Sequence, residues 1–155
     1  MKSLSVALAL AVAGSPMAYA QAPTSPHLIS HAADVAAIPV ALWMEDGKPK
    51  IARGADGVSA APKSAAVVHT KIHKLGGTTI REATFPAGAT FSPPGGPTDT
   101  VMYILRGRMK VTMGDVSDEV GPGDTLREVS GVLSVFEVLD EVVAIETNIP
   151  TDATP

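Results

Sequence analysis

The chain has 155 residues, with 12 Lys+Arg against 16 Asp+Glu, a formal net charge of −4, and no cysteine. A mildly acidic chain without a Lys/Arg run argues against nucleic acid and against anionic membrane surfaces as partners. With no disulfide available, the fold must rest on apolar burial and backbone pairing alone.

Taken in chain order, residues 1–20 read as a secretory signal peptide. Lys2 supplies the positive start, residues 4–14 form an apolar run, and Ala18-Tyr19-Ala20 is a small-x-small cleavage signature before Gln21. The run is about half of the ~20 apolar residues that a membrane-spanning helix needs. The expectation is therefore a periplasmic or secreted protein, not held by a membrane once the segment is cleaved. Residues 21–64 read as an N-terminal arm and edge strand. Pro23 and Pro26 mark an irregular start, and residues 38–44 form a short apolar strand. Asp46-Gly47 is a hairpin signal, and the Gly/Ala/Ser/Pro-rich residues 54–63 read as a connector without regular structure.

From residue 65 the pattern is one of strands. Val67, His69, Lys71 and His73 alternate with Val68, Thr70 and Ile72; Gly76-Gly77 turns the chain; residues 78–85 form the next strand, closed by Pro86-Ala87-Gly88. Residues 101–105 and 108–113 read as a hairpin across Arg106-Gly107. Further strands are expected over 125–129, 132–139 and 142–149, and residues 151–155 form a tail. Turns about every ten residues and Val/Ile/Thr/Phe-rich runs predict an all-β barrel or sandwich, with no helix outside the signal segment.

The spacing of Gly88 and Gly107, the run Tyr103-Ile104-Leu105-Arg106-Gly107, the turn Gly121-Pro122-Gly123-Asp124 and the later Gly131 resemble the two motifs of the cupin family. The resemblance spans about residues 80–149. It implies a cupin-type jelly-roll β-barrel over residues 65–150, and it implies where the family carries its metal ligands. Those places hold Pro94, Gly96, Thr100 and Ser134 instead of three histidines and a glutamate. Proline and glycine side chains donate nothing to a metal, and hydroxyls are poor ligands at neutral pH. The reading is thus a metal-free, cofactor-free member. His69 and His73 do not restore a site, because four residues of strand span about 13 Å; they read as solvated or edge-strand polar groups.

If Thr100 and Ser134 face inward, strand alternation places Met102 and Ile104 beside one, and Val132, Phe136 and Val138 beside the other. These seven residues are the expected ligand pocket, largely apolar with two hydroxyls, unless they simply fill the barrel as core. Asp99 and Glu82 are the candidate proton-transfer groups. The facing of Glu128 and Glu146 is open on sequence alone, Glu137 reads as exposed, and Arg127 reads either as an anchor for an anionic ligand or as a surface charge. The favoured function is binding of a small, mostly apolar organic ligand. One alternative is a metal-independent isomerase, cyclase or lyase, in which Asp99 or Glu82 moves a proton and Thr100 or Ser134 orients a carbonyl. The other is a structural or partner-binding module using residues 38–43 as an added edge strand; the resemblance also implies a homodimer, with an N-terminal strand of this kind crossing between subunits.

Overall fold

A computed structural model describes residues 29–151, so the signal segment, the start of the arm over residues 21–28 and the tail residues 152–155 lie outside the described residues. After a single 3₁₀ turn at Ala32–Asp34, the chain forms β1 (Ile38–Glu45), β2 (Lys48–Arg53), helix α1 (Gly54–Ala60), β3 (Ala66–Leu75), β4 (Thr78–Phe85) and β5 (Thr90–Phe91). It continues through β6 (Asp99–Arg106), β7 (Met109–Met113), β8 (Val116–Val120), β9 (Thr125–Glu128), β10 (Ser134–Val138) and β11 (Val142–Ile149). The pairing is antiparallel throughout. One sheet runs β2-β1-β3-β4-β11-β6-β9 and the other β5-β10-β7-β8.

The eight strands from β4 to β11 explain the architecture. Counted from β4, the first sheet contains the first, eighth, third and sixth of them; the second contains the second, seventh, fourth and fifth. That interleaving is the strand order of a double-sheet jelly roll. β1, β2 and β3 then widen the first sheet beyond β4. Between the sheets lies one apolar cluster drawn from both, including Val68, Phe85, Met102, Ile104, Met109, Phe136, Val138 and Val142. Phe85, Phe91 and Phe136 stack in series, with ring centroids 5.4 Å apart in each pair. Such offset aromatic contacts add to the burial of their area.

Four local expectations give way to the structure. β6 and β7 are not a hairpin, because they belong to different sheets. Gly107 turns the corner between them at φ +80°, with its Cα packed so closely on the next crossing that a Cβ would lie 2.1 Å from the Glu141 carbonyl oxygen. Residues 54–63 are not wholly irregular either. Gly54 at φ +78° starts the seven-residue α1, and Gly57 lets the helix approach Ala52 of β2, where a Cβ would meet the Ala52 Cβ at 3.2 Å. β1 is not an edge strand: the Asp46-Gly47 turn folds β2 along its outer side, so the free edge falls on β2. His69 is exposed, as expected of a solvated group, but neither it nor His73 is on an edge strand, because β3 is paired with both β1 and β4; His73 Nδ1 lies 2.9 Å from Ser30 Oγ.

Candidate functional site

The interior of the jelly roll is not completely filled. A cavity of about 260 Å³ opens at one end of the sandwich. The four places where the resemblance puts metal ligands, Pro94, Gly96, Thr100 and Ser134, all line it. Their donor chemistry does not fit a transition metal, which asks for imidazole, thiolate or carboxylate. Among the described residues, no three His, Cys, Asp or Glu side chains gather in a way that would hold an ion.

Strand alternation decides which side chains reach this space. Of the seven expected pocket residues, Thr100, Met102, Ser134 and Phe136 are on the wall by alternation, while Val132 reaches it from the turn before β10, which starts only at Ser134. Ile104 and Val138 keep the inward facing but lie deeper, buried in the core away from the cavity. The aromatic stack and Met102, with Val40, Leu42 and Val68, form an apolar floor.

Part of the inner face of the first sheet is charged, which the expectation of a largely apolar pocket did not contain. Met102 of β6 pairs with Leu126 of β9 and Glu146 of β11, and Glu146 pairs in turn with Arg81 of β4. One step along, Thr100 stands between Glu128 of β9 and Asn148 of β11. Arg81, Glu128, Glu146, Thr100 and Asn148 therefore share the inner face and all line the cavity, with Arg53 of β2 joining them. Arg81 Nε donates to Glu146 Oε2 at 2.9 Å. The Glu128 carboxyl has no such partner among the described residues. Burial, reinforced by the nearby Glu146 charge and only partly offset by Arg81, pushes its pKa up to about 7. Burial also raises the pKa of Glu146, against the opposing pull of Arg81.

The two carboxylates singled out from sequence lie elsewhere. Asp99 is inaccessible to solvent but outside the cavity. It accepts hydrogen bonds from the Ser130 backbone N–H at 2.8 Å and from Arg127 Nε at 2.6 Å. The Ser130 bond, then Arg127, hold its pKa below the ordinary carboxylate value against the effect of burial. Asp99 is thus a clamp on the loop after β9, and Arg127 serves that clamp. Glu82 has the parity opposite to Arg81 and Ala83; it pairs with Lys71 at 3.3 Å on the outer face of the sheet. Glu137 likewise faces outward, 3.4 Å from Lys110. The signal for the charged wall was present as Arg81-x-Ala83-x-Phe85 and Leu126-x-Glu128, each an inward small or apolar series ending in a charge. It is legible only once register is known.

The strand order defines the class of fold: a double-sheet jelly roll. No family profile matches the chain, and no curated protein matches it. Solved structures similar to it include a cupin superfamily protein from Desulfitobacterium hafniense, 18% identical with a TM-score of 0.48, over 54% of this chain and 77% of that one. The EutQ protein of Clostridium difficile is 20% identical with a TM-score of 0.48, over 56% and 71%. KdgF from a Halomonas species is 18% identical with a TM-score of 0.47, over 52% and 79%. These likenesses concern fold, not activity.

Proposed function

We propose that the protein is an exported, metal-independent binder of a small organic molecule, held in the jelly-roll cavity by an apolar body and one hydrogen-bonding head. The carrying observation is the division of the cavity. Aromatic and aliphatic side chains from both sheets line most of it, while Arg81, Glu128, Glu146, Thr100 and Asn148 gather in one patch on the inner face of the first sheet. A concave, mostly apolar site with a few convergent polar groups is what small-ligand recognition requires. The size of the space restricts the ligand to a compact molecule, and Arg53 with Val132 frames its surroundings.

Ligand-observed NMR with a panel of small cyclic ketones, alcohols and acids tests this reading. Val132 lines the cavity yet is 41% exposed, so Val132→Trp narrows the site without overfilling the core. Binding to the natural protein that is lost in Val132→Trp supports the proposal. Equal signals from both proteins across the panel refute the cavity as the binding site. For a true ligand at 100 times its Kd, the folded state gains about 2.7 kcal/mol, which a melting experiment reads directly.

A further inference from the structure

One carboxyl on the charged wall is held by no neighbouring side chain among the described residues. Arg81 holds Glu146, while Glu128 lines the same cavity with no hydrogen-bond or ion-pair partner among the described residues. Directly across the ladder from it stands Thr100. We propose that Glu128 is the acid–base residue of a metal-independent isomerisation, moving one proton between two carbons of a small unsaturated ketone whose oxygen is held by Thr100 and Arg81. This rests on the cavity being a ligand site.

The chemistry needs one base, one patch of oxygen-binding donors and no co-reactant. The Glu128 carboxylate takes a proton from the carbon between the carbonyl and the C=C bond. That C–H bond breaks, an O–H bond forms on Glu128, and the electron pair spreads through the dienolate onto the ketone oxygen. The Thr100 hydroxyl and the terminal nitrogens of Arg81, whose Nε is taken by Glu146, are the donors on that wall. Glu128 then returns the same proton to the far carbon of the former double bond, which shifts into conjugation. Atoms and electrons balance, and the carboxylate is regenerated. A preorganised donor set of this kind acts where negative charge develops.

The surroundings suit the role. Glu146, Arg81 and Arg53 are the charged side chains sharing the cavity wall with Glu128; Asp99 on β6 is turned away to Arg127. Burial and the Glu146 charge bring Glu128 to a pKa of about 7, so both of its forms are populated at neutral pH. A general base matched to its working pH contributes about 10²–10⁴-fold.

The probe is cyclohex-3-en-1-one, whose conversion to cyclohex-2-en-1-one is followed by the ultraviolet absorbance of the conjugated product. The natural protein is expected to accelerate the conversion, with a rate that rises with pH and levels off above about 7. Glu128→Gln should lose about 100-fold or more. Glu128→Asp should retain part of the rate, and Glu82→Gln, altered on the outer face, should retain all of it. NMR binding of both ketones is measured alongside. If they bind but isomerise no faster than in buffer, or if Glu128→Gln is as active as the natural protein, the catalytic assignment is overturned while the cavity remains a binding site. If neither ketone binds, the catalytic assignment is overturned as well. Only failure of every member of the wider panel to bind would overturn the cavity as a ligand site.

Discussion

Replacing Glu128 with glutamine removes a charge that the fold is built to resist, and the consequence for stability follows from one pKa. In the unfolded chain the carboxyl ionises at its ordinary value of 4.5; in the folded barrel it holds its proton up to about 7. The folded state therefore binds more protons than the unfolded state between those values, so stability falls as pH rises through that window. Below pH 4.5 there is no penalty, and above about pH 8 the penalty is complete. At about 1.4 kcal/mol for each tenfold in proton affinity, the penalty amounts to about 3 kcal/mol. Glutamine has nearly the same shape and no charge, so Glu128→Gln is expected to match the natural protein within about 1 kcal/mol at pH 4.5. It should exceed it by about 3 kcal/mol at pH 9. Urea unfolding followed by circular dichroism at pH 4.5, 7 and 9 measures this directly, because the midpoint shifts while the slope does not. Burial of Glu146 tilts both proteins the same way, so the difference between them reports Glu128 together with its repulsion from Glu146. Parallel stability profiles for the two proteins would refute the reasoning, since an easily hydrated carboxyl has no reason to resist ionisation.

Gly107→Ala should destabilise by about 3 kcal/mol or more in the same assay, because φ is +80° and the new Cβ meets the Glu141 carbonyl oxygen. Phe136→Ala empties the centre of the aromatic stack at a side chain only 1% exposed, and a loss of about 3–5 kcal/mol is expected from thermal or urea unfolding. Asp99→Asn should weaken the clamp on the loop after β9, read as faster hydrogen exchange at the Ser130 amide, with the exchange of strand amides in β4 and β11 unchanged. Adding Zn²⁺, Mn²⁺ or Fe²⁺, or removing divalent ions with a chelator, should leave the melting temperature unmoved, because Pro94, Gly96, Thr100 and Ser134 offer no strong donor.

Much of the chain's character follows from local rules that act before any tertiary contact forms. Period-two alternation marks β3, and Asp46-Gly47 marks the turn between β1 and β2, because those signals depend on neighbours in sequence. The glycine pattern points to a jelly roll, and the four places it identifies do converge on one cavity. What local rules do not carry is which sheet a strand joins. Arg106-Gly107 has the composition of a hairpin turn, yet the chain crosses there from one sheet to the other, and only the packing against Glu141 and Val142 reveals it.

The same limit governs the charged wall. In β11 both alternating faces are apolar at first, Val142 and Ala144 on one and Val143 and Ile145 on the other, so composition does not say which face turns inward. Register against β6 and β4 resolves it, placing Glu146 beside Met102 and Arg81. A shift of one residue would have sent Glu146 to solvent and Ile145 into the cavity. Sequence by itself determined that this chain would build an antiparallel β-structure in which the four places of the cupin resemblance, Pro94, Gly96, Thr100 and Ser134, carry no strong metal donor, because backbone alternation, turns and donor chemistry are properties of the residues themselves. The tertiary structure alone decided that Asp99 and Glu82 stand aside while Glu128, Glu146 and Arg81 meet, because strands far apart in sequence bring side chains together only through their register.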